Sequence, residues 1–406
     1  MSPPLARRVL VTGATGFVGG RLCEVLALTG VFPFRAFVHS TAAAWRIARL
    51  PLDFAVGDLC DRRSVERAMR GCDAVVHLAW GSDAVMRRGL DNVLRVAVEQ
   101  GVSRFVHMSS VAVYGNRPPA DSVSEAAPAR RTDMAYGNAK LQQERRVLWY
   151  WKRHGLNAVI LRPPNVWGPF APFTLNLISK LRSRSIAIVE GGRNPCNLVY
   201  IDNLVQAILL ALWKPEAVGE VFFVTDGAVV TWEQSITDHA ALVGVAVPRV
   251  AATELVASPR ERMFRDSMRA WPQVLVDRDL RRVLARIPVV RKAESVLYGW
   301  FQSLAEETRQ RIRLALRGPE RLLRDGAGER RFRADDPLIA AQGRTVAHSS
   351  AKARRLLGYT APVSYAEGMS LTEAWLRHSR IIEGDAVPEP APAPAPAPAL
   401  AVAAGP

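Results

Sequence analysis

A chain of 406 residues, 49% of them hydrophobic, exceeds one small core and fits a nucleotide-sized domain of roughly 150–250 residues plus a second lobe. The formal net charge is +16, yet the stretch from Arg260 to Arg333 holds 19 Lys and Arg against 10 Asp and Glu. More than half of the excess sits there, which argues for a solvated basic surface and against a nucleic-acid partner. Four cysteines (Cys23, Cys60, Cys72, Cys196) without C-x-x-C spacing argue against structural disulfides and against zinc or any other metal. Arg7-Arg8 leads straight into an apolar run, leaving no room for a signal peptide. The longest apolar run, near Leu204–Trp213, is about half of the roughly 20 residues a membrane span needs, so a cytoplasmic protein is expected.

Val9–Thr12 reads as a strand, followed by glycines and a helical pattern over Phe17–Thr29. Arg35–Val38, Asp53–Val56, Ala74–Leu78, Arg104–Met108 and Ala158–Leu161 are similar β-rich runs, and helical patterns at Ser64–Arg70, Leu90–Glu99 and Ala135–His154 lie between them. This alternation predicts an α/β fold over residues 1–165, a doubly wound parallel sheet covered on both faces. Residues 166–383 are expected to form a smaller substrate lobe, some of whose segments return to the first domain. Its elements are a helix at Thr174–Arg182, a strand near Asn197–Tyr200, a helix at Asn203–Trp213 and a strand at Val221–Val224. A basic helical stretch follows at 250–335, then a last helical unit at Ser350–His378. Residues 384–406 are a Pro-Ala repeat, which cannot bury apolar surface and predicts a disordered tail.

Gly13, Gly16 and Gly19 stand directly between the first strand and the first helix. Gly13 suits a tight turn, Gly16 lets backbone amides approach a pyrophosphate, and Gly19 lets helix and strand pack closely with the helix N-terminus facing the phosphates. The expected ligand is NAD or NADP. NAD selectivity wants a carboxylate near the end of the second strand, but no Asp or Glu lies between Glu24 and Asp53. That strand ends Val38-His39-Ser40 with Arg35 and Arg46 nearby, a lean towards NADP, and Asp58 is placed to touch the adenine.

Tyr136 and Lys140, at i and i+4, share one face of a long helix. A free tyrosine titrates near 10, too high for proton transfer at neutral pH, and a nearby ammonium or cationic nicotinamide lowers that value. Ser109-Ser110 ends a strand beside them, so a serine hydroxyl can hold the substrate oxygen while Tyr136 exchanges its proton.

Further motifs join these: Gly57-Asp58-Leu59, His77-Leu78-Ala79, Val113-Tyr114-Gly115, Leu161-Arg-Pro-Pro-Asn-Val-Trp-Gly168, Val199-Tyr-Ile-Asp-Asn203 and Ala351-Lys-Ala-Arg-Arg-Leu-Leu-Gly358. With Thr12–Gly19, Ser109-Ser110 and Tyr136-x-x-x-Lys140 they resemble the extended short-chain dehydrogenase/reductases, within the NAD-dependent epimerase/dehydratase family, over roughly residues 7–245 and 345–378. The resemblance implies a Rossmann domain and a Ser110/Tyr136/Lys140 triad. Ser110 is preferred because it lies four residues before Tyr114, with Ser109 packed beside it. Lys140 would also hold the nicotinamide ribose. The implied cofactor contacts are Gly13, Thr15, Gly16, Phe17, Val18, Gly19, His39, Asp58, Leu59, Leu78, Ala79, Tyr136, Lys140 and Pro163.

Three departures bear on the substrate. Met86 stands where the family carries an early Asn, which weakens a water-mediated proton relay. Cys196 stands where nucleotide-sugar epimerases place a diphosphate-gripping Arg, and Arg193 is the substitute at a different register. The basic stretch is also larger than the family's pattern. Two reactions compete: net oxidation or reduction of a secondary alcohol or ketone, as in the sterol- and flavonoid-type branch, and transient oxidation of a nucleotide sugar, as in epimerases and dehydratases. Cys196 and the short segment before Leu90 favour the first; the extra carboxylate a dehydratase wants has only Asp133 and Glu125 as candidates. A non-catalytic nucleotide-binding scaffold that docks on a partner or membrane is the remaining alternative. Arg309, Arg313, Arg317 and Arg321 recur at four-residue spacing after Tyr298, Trp300 and Phe301, so residues 298–324 are a candidate peripheral membrane contact. Pairing through the helices at Leu90–Glu99 and Ala135–His154 would give a homodimer.

Overall fold

The structure, a computed structural model, describes residues 8–255 and 332–382. The candidate membrane contact at 298–324, most of the basic stretch and the Pro-Ala tail lie outside the described residues.

Seven strands form one parallel sheet: β1 (Val9–Thr12), β2 (Phe34–Val38), β3 (Asp53–Val56), β4 (Ala74–His77), β5 (Arg104–Met108), β6 (Ala158–Arg162) and β10 (Val221–Phe223). Their order is β10-β6-β5-β4-β1-β2-β3, and every pair is parallel. The chain thus runs outward from β1 in one direction, then crosses back to β4 and runs outward in the other, the arrangement that opens a crevice at the strands' carboxyl ends. Strand residues alternate between two apolar cores. Val9 and Val11 face one, with Leu22 and Leu26 of α1 (Phe17–Thr29) and Leu204 and Ile208 of α6 (Ile201–Trp213). Leu10 and Val75 face the other, with Val65 of α2 (Arg62–Met69), Val93 and Leu94 of α3 (Leu90–Glu99), and Val147 of α4 (Ala135–His154). Burial on both faces explains why β1, β4 and β6 are continuous apolar runs rather than alternating ones.

Segments beyond residue 165 join this sheet layer, the helix over Ala351–Leu357 among them. β10 pairs with β6, and α6 packs on α1, where Arg21 grips Asp202 with bonds of 2.6 and 3.0 Å. The smaller lobe is built from α5 (Pro172–Arg182), α7 (Trp232–Leu242), α8 (Pro337–Ala341), α10 (Tyr365–His378) and two short ribbons. One ribbon joins β7 (Asn165–Trp167) to β9 (Leu198–Tyr200), the other β8 (Ile188–Val189) to β11 (Arg249–Val250). Trp167, Leu177, Ile186, Trp232, Ile236 and Leu376 form its core. The closing unit at Ser350–His378 is two helices, α9 (Ala351–Leu357) and α10, because Gly358 at φ 71° ends the first.

Candidate active site

The parallel register lines up the strand ends. Thr12 lies beside Phe37 and His77, His77 beside His107, and Met108 beside Leu161. Gly13, His39, Leu78 and Ala79, Ser110 and Pro163 therefore all emerge at one edge of the sheet, just past β1, β2, β4, β5 and β6 in turn. Asp58 and Leu59 follow β3 in the same way; Asp58 is exposed and accepts the Cys60 amide at 2.8 Å.

The glycine loop turns as the chemistry of a pyrophosphate site requires. Gly13 sits at φ 71°, and a Cβ there would lie 2.7 Å from the backbone of Leu78 and Ala79. Gly16 opens α1 with no side-chain cap and no acidic residue in the first turn. The amides of Phe17 and Val18 are thus left as unmatched donors at a helix N-terminus, which favours an anion. The residues fit a dinucleotide. The two cations that favoured NADP are committed elsewhere. Arg35 pairs with Asp53 at 2.9 Å and binds the carbonyls of Ala68 and Arg70. Arg46 pairs with Glu24 of α1 at 2.8 and 3.1 Å and lies over the Phe170 ring.

Helix α4 brings Tyr136 and Lys140 to the same edge. Gly137, between them, makes this possible: a Cβ there would come within 1.9 Å of the Ala112 carbonyl, so only glycine lets α4 press against the short turn Val111–Tyr114. Ser110 caps that turn, its Oγ accepting the Ala112 amide at 3.2 Å and donating to the Pro163 carbonyl at 3.4 Å, and against the effect of burial it lowers the Tyr136 phenol's pKa in part. Tyr136 is partly open to solvent at 38%, whereas Lys140 is buried with Nζ donating to the Met108 carbonyl at 2.9 Å. Burial raises the phenol above its ordinary value, with Ser110 pulling it back in part. Sequence reasoning expects a depression, but the ammonium faces the Met108 carbonyl and the phenol's own desolvation dominates. Lys140 is itself pushed down to about 8 by burial, opposed by Glu144.

The two adjacent serines have different partners. Ser109 donates to Glu144 at 2.5 Å, and Glu144 also takes two bonds from Arg162, at 2.7 and 2.6 Å. Arg162 continues to the Tyr114 hydroxyl at 2.9 Å, which donates to the Ala127 carbonyl. This buried network, behind the site, fixes β5, β6 and α4 to one another. Glu144 went unassigned in the sequence, although its place four residues after Lys140 puts a carboxylate on a buried helical face.

Ser110 and Tyr136 line a cavity of about 440 Å³ that also meets Phe17 and Val18 of the glycine loop. Its walls are largely apolar and include Val166, Phe173, Trp232 and Leu338, with Arg344 and His348 as its charged or titratable members besides the tyrosine. Cys196 is turned into the lobe's core, 1% exposed, while its neighbours Pro195 and Asn197 reach the cavity wall. Arg193 is exposed and outside the lining. Of the dehydratase candidates, Glu125 is held by the Phe223 amide at 2.6 Å and Asp133 is exposed, and neither lines the cavity. Met86 is buried in a wide turn, Val85–Gly89, where its carbonyl accepts Gln143 Nε2 at 2.9 Å. Two further neighbours carry no motif signal in the sequence: Arg344, and Trp80, whose ring meets Tyr136.

A family model, NAD dependent epimerase/dehydratase family, matches residues 9–224, more than half of the chain. The chain belongs to the NAD-dependent epimerase/dehydratase family. It is an enzyme of that nicotinamide-dependent class. It is 32% identical over 241 residues to the 4-hydroxy-2-methyl-3-oxo-4-farnesyl-3,4-dihydroquinoline-1-oxide ketoreductase of Stigmatella aurantiaca, covering 57% of this chain and 71% of the relative. It is 27% identical over 252 residues to the UDP-glucose 4-epimerase of Vibrio cholerae, covering 58% and 76%. Among solved structures, the UDP-glucuronic acid 4-epimerase of Bacillus cereus, in complex with UDP-glucuronic acid and NAD, superposes at a TM-score of 0.61 with 18% identity over 92% of this chain and 99% of that one, a likeness of fold. Among the described residues, no helix is long and apolar enough to cross a membrane.

Proposed function

We propose that this enzyme carries out a net oxidation or reduction of a secondary alcohol or ketone on a largely apolar substrate. Tyr136 is the acid–base group, Ser110 holds the substrate oxygen, and Lys140 holds the nicotinamide ribose. The observation that carries this reading is the apolar cavity whose wall holds both Ser110 and Tyr136 beside the glycine loop. The bound nicotinamide supplies or accepts the hydride. In the reducing direction the carbonyl carbon gains hydride, Tyr136 gives its proton to the oxygen, and the proton is restored from solvent. Ser110 keeps the oxygen within reach of the phenol, and the apolar wall excludes water from the reacting carbon.

The ketoreductase relative, named for a farnesyl-bearing ketone, supports an apolar substrate. The position of Cys196, turned away from the cavity, and the absence of Glu125 and Asp133 from its lining weigh against the epimerase and dehydratase readings. With Arg35 and Arg46 both paired to carboxylates, the ground for preferring NADP is lost, and we read the enzyme as accepting NAD or NADP with little discrimination. The test is coenzyme consumption, followed optically with NADH and NADPH, against apolar ketones and UDP-glucose. Stoichiometric, ketone-dependent oxidation of coenzyme is expected. Epimerisation of UDP-glucose with no net coenzyme oxidation by any ketone overturns the reading.

A further inference from the structure

Arg344 is a cation with no counter-charge among the described residues. Its Nη2 donates to Asn116 Oδ1 at 3.0 Å, its Nε is buried with no hydrogen-bond partner, and burial alone pulls its pKa down. Other arginines of similar burial around the site are matched to carboxylates: Arg46 to Glu24 and Arg162 to Glu144. A guanidinium kept partly out of water without an anion destabilises the fold, and an anion arriving from outside would offset that cost.

The segment bearing Arg344 is not a loose loop. Gln342 accepts the Val189 amide and donates to the Ala187 carbonyl, both at 2.9 Å, while Asn194 Nδ2 donates to the Gln342 carbonyl at 2.8 Å. On the other side, Asn197 donates to the Val346 carbonyl and accepts the His348 amide, both at 2.9 Å. Five bonds from side-chain amides and backbone thus bracket Arg344 within two to four residues. The guanidinium is held in the wall of the cavity that contains Ser110 and Tyr136. His348, in the same wall, donates Nδ1–H to the Ser122 carbonyl at 2.8 Å, and burial together with Arg344 and Arg162 holds it neutral. One fixed positive charge therefore faces the cavity among the described lining residues.

Building on the reading above, we propose that Arg344 anchors a carboxylate on the substrate, so that the enzyme acts on an apolar hydroxy or oxo acid. A single planar guanidinium suits a carboxylate, which it can hold through two parallel bonds. A diphosphate carries more charge than one arginine and a neutral histidine offset. The apolar walls then hold the hydrocarbon body, and fixing the acid end sets which carbon meets Tyr136.

The test compares 3-hydroxydodecanoate with its methyl ester, and both with UDP, using calorimetric binding to the full chain and turnover with NAD or NADP. Wild-type protein is expected to prefer the acid over the ester by about 10- to 100-fold, the range of a charge-assisted hydrogen-bond pair. Arg344→Met should bring that ratio to near one while its Tm stays at or above wild type, because no internal ion pair is lost. Arg344→Gln serves as a second variant and should lose the preference in the same way. Equal binding of acid and ester by wild-type protein overturns the proposal, as does a preference that survives both substitutions or binding of neither compound. UDP binding that exceeds acid binding and depends on Arg344 overturns it in favour of a diphosphate. An Arg344-dependent acid preference without turnover of either compound removes the redox reading and leaves the anchor standing.

Discussion

The indole of Trp80 stands edge-on to the phenol of Tyr136, with ring centroids 4.7 Å apart at 71°, and Lys140 Nζ lies 5.6 Å from the same indole. Trp80 follows the Leu78-Ala79 exit of β4, is 58% exposed, and so acts as a wall against the two residues rather than as core. Edge-to-face pairs of this kind contribute about 0.5–1.5 kcal/mol, enough to bias the phenol's rotamer. Trp80→Phe should keep most of kcat, whereas Trp80→Ala should lower it by about tenfold or more, since a small displacement of a reacting group can cost up to about 10²-fold. Steady-state kinetics decide; an Ala variant as fast as wild type means the indole does not position Tyr136.

Tyr136→Phe removes the proton carrier but none of the amides of the glycine loop. Turnover should fall by about 10²–10⁴-fold with nearly unchanged dinucleotide affinity. Retention of a large share of wild-type rate would exclude Tyr136 as the acid–base group.

The Lys140 ammonium, pushed down to about 8, is charged below that pH and neutral above it. Reduction needs the phenol protonated and the lysine charged, so its rate should be level near neutrality and fall as pH rises past about 8. Lys140→Arg keeps its charge and should move that fall upward, read from the pH profile of kcat. An unmoved profile means the fall belongs to another group.

Much of this was legible in the sequence for physical reasons. The strands are short apolar runs because both faces of the sheet are buried, and the glycines and the Tyr136–Lys140 spacing mark a turn and a helical face. Long-range pairing was not legible. Val221-Phe-Phe is apolar wherever it lands, and only the observed register puts it beside β6. The apolar face of α6 does not say which layer it covers, and it covers the Rossmann sheet. Arg46 reads as a free cation in the sequence because Glu24, 22 residues away, comes beside it only in the fold. Arg344 carries no periodic or motif signal at all; its meaning comes from the cavity and from the missing counter-charge.

Two glycines of the loop should fail differently when replaced. Gly16 has φ −74°, and an added Cβ would meet only the Gly13 carbonyl at 3.2 Å, so Gly16→Val should keep the fold while obstructing the pyrophosphate surface. At Gly19 an added Cβ would lie 2.2 Å from the Gly13 carbonyl, a backbone clash that no rotamer relieves. Gly19→Ala should therefore lower Tm, and Gly16→Val should lose cofactor binding at near wild-type Tm. Unchanged nucleotide titration in the Gly16 variant would remove this loop from the site.

Acid stability depends on two histidines inside the sheet. His77 and His107 lie side by side on β4 and β5, ring centroids 5.7 Å apart, and both are almost fully buried. His77 Nδ1 shares a 2.9 Å hydrogen bond with Thr12 Oγ1, while neither nitrogen of His107 has a partner among the described residues. Burial first, and the Lys140 charge second, push His77 down to about 3 and His107 well below its ordinary value. Both rings are therefore neutral in the folded protein at pH values where the unfolded chain has bound a proton to each. The stability they confer is complete above the ordinary histidine value of about 6.5 and is lost as pH falls below it, at about 1.4 kcal/mol per pH unit for each ring. His107→Phe keeps a flat ring in the same place, removes two unpartnered nitrogens and deletes one of the two titrations. Urea unfolding from pH 7 to pH 5 should show the variant with a shallower loss of stability than wild type, by about one histidine's slope. Equal slopes for the two proteins would mean that His107 takes up its proton in the folded state after all.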